Sequence, residues 1–289
     1  MLFGIIHLFF WRIFKSLLRI WTRKCEIQRI CENNRSDIYQ ECVSLEASMC
    51  FSKSAPIRSL VSMSRFNNKS VDEHIAAMIV CKGIKDLSFQ ERFRDRISLI
   101  IHYNSLIREV TELKKSYSTE NTTHEATLLS LWDCLKPNEK LKERRSKQWS
   151  DLGFQGLDPA TDFRGMGYLA LTQLYYLANT RTELARNLLL KSQHPEYGYP
   201  FALVGIHTTS FLSNLLTTRS LRYQLFILSE RYQHTISMER FNELFVYVFV
   251  EFDKFWRESG PNNVMQFNER WRVFDSVITQ NLNTINVLN

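Results

Sequence analysis

The chain has 289 residues, 44% of them hydrophobic, with only nine glycines and six prolines, which argues against an all-β sandwich rich in tight turns and against long disorder. Its net charge is +7, but the first 24 residues hold five of those charges (Arg12, Lys15, Arg19, Arg23, Lys24) and no acid, leaving +2 for everything after. A nucleic-acid binder carries its excess on a folded face or an extended basic stripe, and the excess here sits beside an apolar end instead.

That end reads "MLFGIIHLFFWRIFKSLLRIWTRKC". Its uncharged run stops at Arg12 after about eleven residues, where a membrane span needs roughly 20. The charges follow the apolar run and no small-residue cleavage site comes after, the reverse of a secretory signal. Arg12, Lys15, Arg19 and Arg23 recur at helical steps and build one basic stripe, while Phe10, Ile13, Phe14, Leu17, Leu18 and Trp21 fall largely on other faces. This is the pattern of a helix lying in a membrane interface, with Arg12, Lys15, Arg19, Trp11 and Trp21 as the contacting residues. Two other readings stay open: a helix docked on the core by its apolar side, and a short insertion of residues 1–11 with the following cations holding the rest on the cytosolic side.

Residues 25–50 read as weakly helical, and "SKSAPIRSLVSMSRFNNKS" as a loop. "VDEHIAAMIVCKG" is a helix closed by Gly83, and "FQERFRDRISLIIHYNSLIREV" a stronger amphipathic one. After the polar break "KKSYSTENTT" comes "HEATLLSLWDCL", a short helix stopped by Pro137. The charged run that follows has Leu141 and Trp149 as its anchors. Beyond residue 167 the chain is densely apolar. "YLALTQLYYLA" is helical, and "TRTELARNLLL" is predicted to open with a capping box between Thr180 and Glu183. "FALVGIHTTSFLSNLL" and "SLRYQLFIL" read as buried helices. "SMERFNELFVYVFVEFDKFWRESG" is the longest, capped by Ser237 and stopped at Gly260. Its "LFVYVFVEF" core leaves a strand open, although the surrounding charges favour helix. "VMQFNERWRVFDSVITQNLNTI" closes the chain as a last helix. The fold reads as all-α.

The six cysteines make no C-x-x-C pair, and the seven histidines show no metal-ligand spacing, so reduced, scattered thiols in a cytosolic protein are expected, with no metal site. There is no P-loop, no dinucleotide fingerprint and no G-x-S-x-G, so no self-contained catalytic centre and no cofactor are expected.

One stretch remains: "WSDLGFQGLDPATDFRGMG", from Trp149 to Gly167, where Arg164 sits amid Gly, Pro and Asp. Asp158-Pro159 favours a turn, and Thr161 is placed to cap a helix starting near Asp162. Gly165 and Gly167 then fall in its first turns, at up to about 1 kcal/mol each against Ala, a cost that suggests close backbone approach to a packed helix or to a partner. By physics alone Arg164 either pins the turn through Asp158 or Asp162, or is offered outward.

The stretch follows the pattern W-x3-G-F-Q-x3-P-x-T-D-F-R-G-x-G-x3-L-x2-L, through Trp149, Gly153, Phe154, Gln155, Pro159, Thr161, Asp162, Phe163, Arg164, Gly165, Gly167, Leu171 and Leu174. It resembles the signature of the ELMO domain-containing proteins. The similarity extends over roughly residues 125–285, including "SQHPEYGY" and "VEFDKFW", and the apolar-basic start with "KCEIQRI" resembles the short members of that family. The resemblance implies a multi-helix ELMO domain at 125–289, preceded by an amphipathic helix at 1–24 and a helical region at 25–124. It implies a protein that stimulates GTP hydrolysis by small GTPases of the Arf and Arf-like group without a catalytic centre of its own. The motif arginine, Arg164, would be its catalytic residue; the larger engulfment-and-motility scaffold proteins share the domain but lack it. Asp162 would orient Arg164 or cap the helix, Trp149, Phe154 and Phe163 would pack the loop, and Gln155 is a candidate for positioning water. The expected location is cytoplasmic, peripheral on intracellular membranes, with endoplasmic reticulum, mitochondria and lipid droplets as candidates. The competing expectation is a non-catalytic scaffold or effector that binds GTPases.

Overall fold

In this computed structural model the backbone is described for residues 14, 17–33, 37–52, 57–58, 68–232, 235–261 and 263–284. Every regular element among them is helical. The α-helices are α1 (Glu26–Asn33), α2 (Ile38–Cys50), α3 (Asn68–Lys82), α4 (Leu87–Leu113), α5 (Thr122–Leu135), α6 (Gly167–Thr180), α7 (Thr182–Ser192), α8 (Phe201–Thr217), α9 (Arg222–Tyr232), α10 (Met238–Glu258) and α11 (Phe267–Thr284). Short 3₁₀ turns cover Lys147–Leu152, Pro159–Arg164 and Val264–Gln266.

The chain forms two compact units, residues 1–105 with 225–236, and residues 106–224 with 237–289. In the first, Leu45, Met49, Ile75, Met78, Phe93 and Ile97 are buried, and Tyr103 meets Phe226 edge to face at 5.7 Å. Glu41 is buried there against Arg96, whose Nε donates to Oε2 at 2.9 Å and whose Nη2 reaches Glu230 at 3.0 Å. Burial and the neighbouring Glu41 push the Cys31 thiol far above its usual range. Among the described residues, Cys25, Cys31, Cys42, Cys50 and Cys134 form no disulfide.

The second unit is built around α6, which packs against α5, α7, α8 and α10. Leu169, Ala170, Leu171, Leu174, Leu177 and Ala178 are all buried, a broad apolar face suited to a helix packed on several neighbours. In α10, Phe241, Leu244, Phe245, Val248, Phe249, Phe252 and Trp256 are buried at steps of three and four, the period of one helical stripe. That period, and the Ser237 hydroxyl accepting from Arg240 N, settle the helix-or-strand alternative for "LFVYVFVEF" in favour of helix. Asp253 is the buried carboxylate of this unit. It accepts from Tyr199 Oη at 2.9 Å and from Arg257 Nη2 at 3.0 Å, so the α10 charge is compensated rather than stranded.

Two local expectations fail. The capping box does not form: α7 starts at Thr182 after Arg181, and the Thr180 hydroxyl donates to Tyr176 O at 2.6 Å within the preceding helix. Because only Arg181 separates α6 from α7, Thr180 is still the last helical residue of α6 and does not take the extended backbone of an N-cap. The second failure is the helix placed near Asp162, taken up below.

Candidate functional site

The Trp149–Gly167 stretch is two 3₁₀ turns joined by a loop. Ser146 caps the first turn at Gln148 N, and Gly153 closes it with φ +81°. A Cβ at Gly153 would lie 2.4 Å from Phe201 N, so this glycine lets the loop lie flat on the start of α8.

The loop is held from below by rings. Trp149 is buried between Trp132 and Phe154, edge to face at 5.4 and 5.8 Å, and its Nε1 donates to Arg144 O at 2.9 Å. Phe154 meets Phe163 at 5.6 Å, and Phe163 meets Tyr117 at 5.3 Å. Trp149, Phe154 and Phe163 thus pack beneath the loop in a continuous layer of rings, mostly edge to face.

The second turn does not follow the expectation. It begins at Pro159, three residues before Asp162, and is 3₁₀ rather than α. Its cap is Asp158, whose Oδ1 accepts from Ala160 N at 3.0 Å; Pro159 supplies the preset φ of a first helical residue. Thr161 is inside the turn, its hydroxyl donating to Asp158 O at 2.9 Å. Asp158 outcompetes Thr161 as a cap because it stands just before the proline, which already favours the extended backbone a cap needs. The α-helix itself starts only at Gly167.

Arg164 is the last residue of this turn and is exposed. Its Nε donates to Thr161 O at 2.9 Å. Among the described residues no carboxylate lies within salt-bridge distance of it, so the reading in which Asp158 or Asp162 pins it is not realised. Both acids are otherwise engaged. Asp158 receives Arg144 Nη1 at 3.0 Å, and Asp162 Oδ2 accepts from Gln155 N at 2.7 Å. Asp162 therefore neither caps the helix nor grips Arg164; it staples the first loop to the second turn. Burial raises the Asp162 carboxyl above its ordinary range, against the pull of the Gln155 amide, the Thr161 hydroxyl and the Arg164 charge. The side chain of Gln155 is exposed.

The two motif glycines differ. A Cβ at Gly165 meets nothing within 4 Å, and its φ is −86°. At Gly167 φ is +56°, and a Cβ would lie 2.1 Å from Lys115 O. The close approach anticipated for both is at Gly167 an approach to the chain's own backbone, just beyond α4. Gly165→Ala is therefore expected to leave thermal stability unchanged within about 0.5 kcal/mol, as for substitutions clear of packed features; a melt lowered by several degrees would contradict it.

Sequence patterning did not pick out Arg144, Glu125 or Tyr117. Arg144 forks onto Glu125, with Nη2 at 2.9 Å from Oε1, and turns Nη1 to Asp158. Tyr117 Oη donates to the same Glu125. Burial opposes ionisation of Glu125, but the Arg144 and Tyr117 bonds outweigh it and its carboxyl is lowered. In the run Lys140–Arg145 nothing local separates Arg144 from its charged neighbours, and its partners lie 19 and 14 residues away.

A groove of about 810 Å³ opens beside the loop, lined by Gly153, Phe154, Gln155, Pro200, Phe201 and His207 among others. At the other end of the chain, residues 17–22 are helical, with Leu17, Ile20 and Trp21 58%, 76% and 83% exposed and Arg19 exposed. Trp11, Arg12 and Lys15 lie outside the described residues. Among the described residues no helix is long and apolar enough to cross a membrane.

Residues 109–271, which contain the whole site, match the ELMO/CED-12 family. The chain is 40% identical over 267 residues to mouse (Mus musculus) ELMO domain-containing protein 2, covering 91% of this chain and 88% of that protein. It is 37% identical to the human (Homo sapiens) counterpart over the same shares of each. To ELMO domain-containing protein B of Dictyostelium discoideum it is 33% identical over 290 residues, 97% of this chain and 98% of that one. With the motif on an exposed turn and the likeness running nearly end to end, the chain belongs to the ELMO/CED-12 family.

Proposed function

We propose that the protein is a GTPase activator that lends Arg164 to the active site of a GTP-bound small GTPase of the Arf or Arf-like group, working at a membrane surface. The observation that carries this reading is the state of one guanidinium. Arg164 stands exposed at the end of a capped turn, with Nε tied to its own backbone and its two terminal nitrogens without a partner among the described residues.

The chemistry asks for such a group. GTP hydrolysis spreads negative charge over the oxygens of the transferred phosphoryl group, and a planar, permanently charged donor from a second protein neutralises it, accelerating the reaction by about 10³–10⁵. Tying Nε fixes the plane of the fork while leaving Nη1 and Nη2 for two oxygens. Nucleotide and Mg²⁺ stay on the GTPase, so this chain contributes charge and geometry only. The test is single-turnover phosphate release from a panel of GTP-loaded Arf-group GTPases. At least one is expected to be accelerated by 10³ or so. Binding without acceleration anywhere in the panel would make the protein a scaffold instead.

The membrane part rests on Leu17, Ile20 and Trp21, which face outward beside Arg19, Arg23 and Lys24 rather than being buried on the protein's own core. Apolar groups enter the acyl boundary while each cation near an anionic surface adds about 1 kcal/mol. Deleting residues 1–24 is expected to lower cosedimentation with anionic vesicles at least about tenfold, and raising the salt to weaken the full chain's binding. Unchanged sedimentation would remove the anchor.

A further inference from the structure

The described side chains around Arg164 point to a support that the motif pattern leaves unspecified. We propose that Asp158 and Arg144, held in turn by Glu125 and Tyr117, are positioning residues that set the direction in which Arg164 projects. The inference rests on the activator reading above.

The path is continuous. Tyr117 Oη and Arg144 hold Glu125 on α5; Arg144 Nη1 holds Asp158 Oδ1 at 3.0 Å; the same Oδ1 accepts from Ala160 N at 3.0 Å and so caps the turn whose last residue is Arg164. Arg144, Glu125 and Asp158 are each only 19–25% exposed at the side chain, so solvent does little to loosen the bonds. Tyr117 also packs its ring on Phe163, the residue before Arg164, which fixes the turn from a second side. Asp162 adds the staple to Gln155 N.

The turn acts as a lever. Its six residues, at about 2 Å rise each, span roughly 12 Å from cap to Arg164. A tilt of about 5° at the capped end then moves the far end by about 1 Å, a displacement that costs on the order of 10²-fold when it misplaces a reacting group. An arginine donated in trans gains from being held in place before the encounter, because side-chain ordering then subtracts less from the interaction. The strut does this without touching the partner. It should therefore act on the rate of the bound complex rather than on its formation.

The experiment is stimulated single-turnover GTP hydrolysis with the full-length protein titrated over a GTPase it accelerates, giving kcat and the half-saturating concentration. Asp158→Ala and Arg144→Gln are expected to lower kcat by about 10–100-fold and leave half-saturation within about twofold. Asp158→Asn is expected to restore kcat to within about threefold of wild type, because its amide oxygen still accepts from Ala160 N. In an Arg164→Ala background, adding Asp158→Ala is expected to leave affinity for the GTP-loaded GTPase unchanged, which a general structural defect would not. Wild-type kcat in both Asp158→Ala and Arg144→Gln, or a loss confined to half-saturation, overturns the positioning role. Full stimulation by Arg164→Ala itself would instead remove the assignment of Arg164 as the donated group, on which this inference rests, so the two failures are distinguishable.

Discussion

Replacing Arg164 with lysine is expected to abolish GTPase stimulation, a loss of about 10³-fold or more, while leaving the fold and GTPase binding intact. The reasoning separates charge from shape. Lysine keeps one positive charge but presents it as a point on a flexible stem, so it cannot meet two phosphoryl oxygens at fixed geometry. It also loses the Nε bond to Thr161 O, and with it the orientation of the terminal group. Nothing else in the fold leans on this side chain: it is exposed, and among the described residues it makes no ion pair. Its melting temperature should match wild type within about 2 °C, the span of a change near 0.5 kcal/mol. Single-turnover hydrolysis and a thermal melt on the same sample check both halves. Equal acceleration by wild type and Arg164→Lys would end the catalytic assignment, and a collapsed melt would show that the side chain serves the fold.

Gly167→Ala is the other large effect, and its cause lies wholly inside the protein. With φ at +56°, an L side chain here is strained before any contact is counted. The added Cβ would stand 2.1 Å from Lys115 O and 2.4 Å from Lys114 O, both backbone atoms that cannot swing aside. The same place holds the Tyr168 N to Lys115 O bond at 3.2 Å, which docks the start of α6. Relieving the clash means moving the central helix of the unit, so a cost of about 3–5 kcal/mol and a melt lower by roughly 10 °C are expected. Two glycines two residues apart thus divide: Gly165→Ala leaves stability alone, and Gly167→Ala removes much of it. If both melt like wild type, the close approach at Gly167 is not what the motif preserves.

The helices could be read from the sequence because their signal is local. In α10 the buried aromatic residues recur at three and four, Ser237 caps its start, and Gly260 with φ +56° follows its C-cap Ser259. Gly83 ends α3 with φ +65° for the same reason, a left-handed closure that glycine alone adopts at little cost. The capping box at Thr180 failed because two helices abut there, and whether a pair of helices abuts depends on how both pack. That Leu225–Ile236 folds with the N-terminal unit likewise has no local mark.

The site divides along the same line. The residue types of the motif, its rings, and Arg164 as its one arginine were determined by the sequence by itself, since each is a matter of identity and spacing. Which acid caps the turn, and whether Arg164 is spent on a neighbouring carboxylate, were decided only by the tertiary structure. Asp158 and Asp162 lie six and two residues before Arg164 and looked equally able to hold it. One is claimed by Arg144, which α5 and Glu125 bring in from outside the motif, and the other by a backbone amide of the preceding loop. A carboxylate's choice of partner is a competition among all donors within a few ångströms, and only folding decides which donors those are.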